Sequence, residues 1–513
     1  MDEVSAVALH GRPTVTGARR QLGERLKELR EDHGFTQLRL SERITYSRTA
    51  LTGAETGRDF PSLAFWKACD AALAADGELV RSYKNIKSQE KSLRLDAASP
   101  AQSNDVQVGI VESVAGPAID SLALIWPARH DTGAEVNVMI PGGRYFSGSS
   151  IPVKMYSAVD DGRIVTAIPK GFVNDDFMRR PRRGLIIGTT IDELGTPCSF
   201  GIDTRHARRK LNGGVEKSRL LLSRAFALDD LTLGLLWAVT NFDEPLFDDD
   251  ASLHSSTELL DPLIKLSRSA GARDIVADLS SVSQMWLGSN FCARHIMRHV
   301  DGLADVPIFW TREQRGEEAG TWLFFEHKFK YLRDTAASFG GATSSLARVF
   351  CIPPDVVAQS GSPERILLML SFALMESFGI RVDVCDEQEY AAVQGFVLDH
   401  HRQAILANWV GAEGIWYVDV ARSRPQLREL FDAAGYAQAH SISRRSSGTA
   451  LGRLSALADY LELDAQWLAR RCAELSDYGT AALLQPRSRL LSVEGVDRAC
   501  RFMAGLAIDY PET

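Results

Sequence analysis

The 513-residue sequence contains no apolar run near the roughly 18 to 20 residues that a membrane-spanning helix needs. Its opening stretch, MDEVSAVALHGRPTVTGARR, carries two acids at the start and no apolar core, so no secretory signal is expected there. Cysteine is sparse: Cys69, Cys198, Cys292, Cys351, Cys385, Cys472 and Cys500 are dispersed, and no two stand at CxxC spacing. An odd, scattered set in a large chain points to reduced thiols and a cytoplasmic protein. Internal repeats and low-complexity tracts are also missing. What is present is a hydrophobic fraction of 45% beside 24% charged residues, enough to bury cores rather than stay disordered. The length exceeds one ordinary core, so roughly two to four domains are expected.

Positive charge is in deficit overall. A formal net charge of -8 speaks, taken alone, against a phosphate-rich partner. The charge is unevenly placed, however. Residues 18–95 hold 15 Lys and Arg against 11 Asp and Glu, a net of +4, while the remainder holds 43 against 55, a net of -12. A small basic head on an acidic body fits a DNA-binding module joined to a body with another task.

Texture divides the chain further. Residues 1–17 lack periodicity and read as a tail. Residues 18–95 are helical in pattern, and DAASPAQSNDVQ (96–107), small and polar with one proline, reads as a linker. From 108 onward the short runs VNVMIPGG, YFSGSSIPVKMYSA, GRIVTAIP and RGLIIGTT, broken by Gly, Pro and Asp, predict a small twisted sheet. Residues 216–245 return to helical spacing, so 108–272 reads as a β-rich then helical segment. Over 273–435, the strand-like ARVFCIP (347–353) and IRVDVC (380–385) alternate with the helix ERILLMLSFALMESFG (364–379), and QGFVLDH and AILANWV follow. That alternation favours an α/β layer. Residues 436–513 read as a helical C-terminal segment.

Within the head, GERLKELREDHGFTQ (23–37) belongs to an amphipathic helix with Leu22, Leu26 and Leu29 on one face and Gly34 at its end. Thr36 is placed to cap a short helix over 37–44, whose Leu38 and Leu40 are expected to face a core. Ser47 caps a third helix running from Arg48 to about Thr56, and Gly57 ends it. Two short helices joined by a tight turn, the second opening on polar side chains, form a helix-turn-helix. Pro61 starts a fourth helix, whose Leu63, Trp66, Cys69 and Leu73 pack underneath. Roles follow from that geometry. Gln37, at the start of the second helix, is placed to reach a phosphate. Ser47, Arg48, Thr49 and Thr52 are the outward positions that meet base edges, and Arg48 suits a bidentate guanine contact. Arg39, Arg43 and Arg58 flank them as phosphate contacts.

TQxxL at 36–40, SRT at 47–49, ExG at 55–57 and FWKACD at 65–70 together resemble the lambda-repressor-like (XRE) family of helix-turn-helix transcriptional regulators. FWKACD resembles the version common in large actinobacterial regulators. The resemblance covers about residues 20–75. It implies that an Arg of the first helix pairs with the Glu of ExG, places held here by Arg30 and Glu55. Two positions depart from the family pattern. Gly53 lies inside the recognition helix at about 1 kcal/mol of helix propensity, and Ala54 stands where a larger apolar residue is usual.

The body offers weaker patterns. FCARHIMRHVD (291–301) sets Cys292, His295 and His299 at i, i+3 and i+7 on one helix face, spacing that suits zinc. It equally suits a buried stripe, no fourth ligand is visible, and no metal or other cofactor is expected. LDHH (398–401) has the Asp-His-His of a phosphoesterase family without its companion motifs, and reads as a strand end. Arg312 and Arg315 are placed to meet an anion at a helix start, or to solvate it over an aromatic core face. GGRYFSGSS (142–150) lacks the GK[ST] ending of a phosphate loop and reads as a hairpin turn. No nucleophile–base set emerges.

The expected fold class is multidomain α+β: an all-α helix-turn-helix domain, a β-rich segment, a mixed α/β effector region and a helical tail. The expected function is a sequence-specific, DNA-binding transcriptional regulator, not an enzyme. Its partners would be double-stranded DNA, a second copy of the chain because one module meets one half-site, and a small-molecule or protein effector, with no membrane. Two readings from other classes stand beside it. One is an enzyme of phosphodiester or nucleotide chemistry, active in 273–435 and carrying a DNA-targeting head. The other is a protein-interaction hub.

Overall fold

Leucines three and four apart decide the architecture of the head. The computed structural model describes residues 15–44, 46–58, 60–61, 63–75, 77–84, 86, 133–160, 162–191, 196–213, 218–339, 346–445 and 448–508. The chain divides into two units, residues 1–104 and 105–513. The linker expected at 96–107, the first part of the β-rich segment to 132, and residues 1–14 of the tail lie outside the described residues.

In the first unit, α1 (Val15–Asp32), α2 (Gln37–Arg43), α3 (Arg48–Glu55) and α4 (Leu63–Ala72) follow one another. Leu22, Leu26 and Leu29 of α1 bury against Leu40, Ile44, Leu51, Phe65, Trp66, Cys69 and Leu73. α1 stops before Gly34, whose φ of +65° a side chain would strain, and Gly57 at +68° plays the same part after α3. Asp70 accepts the backbone N–H groups of Gly77 and Val80, tying down the chain that follows α4. One expectation is corrected. Leu40 is fully buried, but Leu38 is 54% exposed. Two residues apart on a helix lie about 200° apart around its axis, so a two-turn helix cannot turn both leucines to one core.

The second unit contains two sheets. The first comprises β1 (Glu135–Ile140), β2 (Ser149–Asp160), β3 (Ile164–Ala167), β4 (Leu185–Ile191), β5 (Pro197–Asp203) and β6 (Arg219–Leu222). Its order is β5-β4-β2-β3-β6, with β1 on β2; only β2 and β4 pair in parallel. The glycine-rich 142–150 lies at the turn of the antiparallel β1–β2 hairpin, as expected. The helical reading of 216–245 is corrected at its start: Arg219–Leu222 is strand, and the helix begins at Asp230. Leu220 and Leu222 face inward while Leu221 is 45% exposed, the period-two pattern of a strand. A three-leucine run does not separate the two periods by spacing.

The second sheet comprises β7 (Ser269–Gly271), β8 (Ile308–Thr311), β9 (Ala347–Cys351), β10 (Arg381–Cys385), β11 (Phe396–Asp399), β12 (Gln403–Asn408) and β13 (Trp416–Ala421). Its order is β10-β9-β8-β11-β12-β13-β7, parallel through β8, β9 and β10 and antiparallel elsewhere. Helix Ser362–Ser377 is apolar around its circumference, and every residue from Ile366 to Glu376 is buried. Such a helix must lie at the centre of a core. It packs against helices Asp230–Asp248, Gly316–Phe324 and Glu494–Met503. One core therefore runs from Val138 to Leu506, joining the β-rich, α/β and C-terminal helical segments in one unit. Buried ion pairs fasten the same joins: Arg183 meets Asp203 at 3.3 Å and Asp243 at 3.2 Å, and Arg487 meets Asp203 at 2.5 Å.

Candidate nucleic-acid interface

The helix-turn-helix is positioned by buried polar contacts. Arg30 of α1 donates from Nε to Glu55 Oε1 at 2.5 Å and from Nη2 to Oε2 at 3.2 Å, with both side chains buried. Burial works to lower the Arg30 pKa, but the hydrogen bond to Glu55 is the larger effect and holds it above its ordinary value. Arg30 also donates to the Phe35 carbonyl at 2.9 Å, fixing the turn into α2. Gln37 completes the lock. Its Nε2 donates to Glu55 Oε2 at 2.8 Å, and its Oε1 accepts from Thr52 Oγ1 at 3.3 Å.

Gly23 was not singled out by sequence reasoning, yet it sets how closely α1 crosses the end of α3. A Cβ there would stand 2.3 Å from the Ala54 carbonyl oxygen and 2.7 Å from that of Glu55. The signal was a glycine inside an otherwise strong helical pattern. Gly53 and Ala54, the two departures from the family pattern, are both buried.

The outward polar positions divide by what already holds them. The Ser47 hydroxyl accepts from Ala50 N at 3.1 Å and caps α3, as expected. The Thr52 hydroxyl donates to its own helix at the Arg48 carbonyl, 2.9 Å away, or to Gln37. The Gln37 amide is engaged with Glu55 and Thr52, which leaves one amide N–H for a phosphate. Arg43 lies over the Phe35 ring, 5.4 Å from its centroid. Arg58 is exposed. Arg39 and Arg48 are exposed, and neither side chain has a hydrogen bond or ion pair among the described residues. The side chain of Thr49 lies outside the described residues. On α1, by contrast, Arg20 pairs with Glu24, and Arg25 with both Glu28 and Glu78.

The expected positions in the body are brought together only in part. Helix Ser281–His299 carries all three of Cys292, His295 and His299. The His295 and His299 rings lie 4.6 Å apart, whereas Cys292 lines a cavity with Ser289, Glu313 and Lys328. Burial and the neighbouring His299 push the His295 imidazole down to about 4, and burial pushes the Cys292 thiol up. Among the described residues, no three His, Cys, Asp or Glu side chains converge as a metal ion needs. Asp399 accepts the backbone N–H groups of Ala304 at 2.6 Å and His401 at 3.0 Å, closing the turn after β11. At the start of helix Gly316–Phe324, Glu318 accepts from Gln314 N and Arg315 N, and Glu317 accepts from Tyr145 N and Phe146 N of the glycine-rich turn. The chain's own carboxylates thus occupy both anion-attracting loops. Arg315 donates to Gln359.

A pair that the sequence did not reveal joins Ser289 to His327, whose Oγ and Nε2 lie 2.9 Å apart. His327 Nδ1 has no partner, so the orienting third member of a nucleophile–base set is not there among the described residues.

Comparison with known proteins agrees with this geometry. Residues 21–82 match a family model for a helix-turn-helix domain, and the segment is of the XRE type. No curated protein matches the chain, and no solved structure does. Within the described residues, no helix is long and apolar enough to cross a membrane.

Proposed function

We propose that this protein is a cytoplasmic, sequence-specific transcriptional regulator that binds DNA as a homodimer. Its body senses an effector and holds two copies together rather than catalysing a reaction. The observation that carries the reading is Arg48: a guanidinium with no hydrogen bond or ion pair among the described residues, at the start of a helix locked in place by Arg30, Glu55 and Gln37. One such module buries too little surface for specific binding by itself, and a two-fold pair spans half-sites about 10–10.5 bp apart.

Selection of bound fragments from random double-stranded DNA by the full chain tests this. A symmetric site with that spacing is the expected result. No enrichment, or enrichment of an asymmetric single half-site, removes the dimeric regulator. The Ser289–His327 pair favours the rival reading of an enzyme with a DNA-targeting head. Ester or phosphodiester turnover that is lost on Ser289→Ala would select it instead.

A further inference from the structure

The second sheet changes direction at β8. The chain builds outward from β8 to β9 and β10 on one side, then returns to lay β11 on the other. Connections diverge at such a point, and the carboxyl end of the strand opens onto a crevice where open sheets take ligands. Here that crevice is a cavity of about 60 Å³, lined by the end of β8 (Thr311, Arg312, Glu313), the start of β11 and the end of β12. That is several times the roughly 10–15 Å³ that one water needs, so it has room for a small solute.

Its charges do not balance. Lys328 and Arg348 are buried in its wall beside one buried carboxylate, Glu313. Lys328 Nζ donates to Glu313 Oε1 at 2.6 Å, and Trp409 Nε1 donates to the same oxygen at 3.1 Å. Arg348 is 4% exposed, and none of the ion pairs among the described residues includes it. Its Nη1 donates to Thr311 Oγ1 at 2.9 Å and its Nη2 to Tyr331 Oη at 3.3 Å, both neutral acceptors. Among the described residues, Arg348 Nε and Trp322 Nε1 are buried donors with no partner. The faces of Phe309 and Trp322, 4.7 and 4.9 Å from the guanidinium carbon, offset part of the burial cost. One positive charge still stands out of water without a counterion, and a buried charge of that kind calls for one.

We infer that this cavity binds a small monoanion, a carboxylate of two or three carbons. Arg348 Nε, Trp322 Nε1 and the remaining N–H groups of Lys328 hold the carboxylate, and Trp409 and Trp322 enclose its short apolar end. Arg312, partly exposed and without an ion pair among the described residues, stands at the rim. The assignment of this anion as the effector rests on the proposed sensing role of the body; the site itself rests on the unpaired cation and donors.

The experiment is calorimetric titration of the full chain at fixed ionic strength, with tryptophan fluorescence as a second readout. The probes are sodium acetate, sodium pyruvate, acetamide as the neutral isostere and sodium benzoate as the oversized anion. Acetate and pyruvate should bind and perturb the fluorescence, while acetamide and benzoate should do neither. Losing one hydrogen bond to a charged group corresponds to about 10- to 100-fold in affinity, the loss expected for Arg348→Met. Arg312→Gln, which leaves the buried network untouched, should weaken binding several-fold and decides the matter if Arg348→Met does not fold. Binding of acetamide equal to acetate, no response to either carboxylate at tens of millimolar, or affinities unchanged in the folded variants would each overturn the site. DNA affinity, measured with and without acetate, separates the two claims. Acetate bound with DNA affinity unmoved keeps the site and removes its sensing role. DNA binding that answers another effector, with no acetate bound, removes the site and keeps the sensing body.

Discussion

Replacing Arg30 by Met should bring the head close to unfolding. Arg30 and Glu55 have 8% and 3% side-chain exposure and share two hydrogen bonds. Removing one partner of such a pair costs about 3–5 kcal/mol, because the other charge is left buried. Arg30→Met leaves Glu55 with only the Gln37 amide and no cation, which places it near the upper end. Glu55→Gln is milder: Arg30 keeps the Phe35 carbonyl and Glu31, 3.2 Å away, and the glutamine oxygen still accepts. A unit of residues 1–104 has only about 5–15 kcal/mol to lose at 0.05–0.15 kcal/mol per residue. With about 4–8 °C lost per kcal/mol in small domains, the Arg30→Met midpoint should fall by more than about 12 °C. Thermal and urea unfolding of residues 1–104, followed by circular dichroism, measures it. The double variant Arg30→Met, Glu55→Met should be more stable than Arg30→Met alone, since no uncompensated charge remains. If both single variants stay within about 0.5 kcal/mol of the parent, the pair is not holding the head together.

Gly23→Ala should destabilise the head by about 1–3 kcal/mol through overpacking, because its Cβ meets backbone oxygens of α3 rather than a movable side chain; an unchanged urea midpoint would show that α1 can lift off α3 freely. Arg48→Ala should weaken specific DNA binding by about 1–3 kcal/mol and spare random DNA, whereas Arg39→Ala should weaken both and reduce the salt slope by about one. Equal losses on both DNAs for Arg48→Ala remove it from base reading. In the body, burial pushes the Glu318 carboxyl up to about 7 from 4.5, so the folded state holds its proton to higher pH than the unfolded chain. Its contribution is full below the lower value and is lost as pH rises through the upper one, so Glu318→Gln should gain on the parent from pH 4.5 to 7. A stability difference that is flat with pH refutes this.

The head was legible because its signals are local. Gly34, Ser47 and Gly57 set helix ends from within one or two residues, and TQxxL, SRT and ExG fix the order of elements. The body was legible only where an element is long or strongly patterned, as in Ser362–Ser377. Leu220 to Leu222 misled because three leucines fit either period, and pairing with β3 decided the matter from more than fifty residues away. The cavity was invisible for the same reason. Arg348, Lys328, Glu313 and Trp409 are ordinary residues in four separate stretches, and only the sheet brings them to one wall. Leu38 failed differently: its apolar character was read without its angle around the helix.

The acidic balance of the chain does not oppose the DNA reading, and the reason is visible in the head. Six of its acids are held internally: Glu24 on Arg20, Glu28 and Glu78 on Arg25, Glu31 and Glu55 on Arg30, and Asp70 on two backbone N–H groups. All three of those cations belong to α1. Arg39 and Arg48, on α2 and α3, have no such acid among the described residues. Charges more than about 8 Å apart are largely screened at physiological salt. What a phosphate meets at contact depends on which cations the fold leaves unpaired, and among the described residues Arg39 of α2 and Arg48 of α3 are two of them.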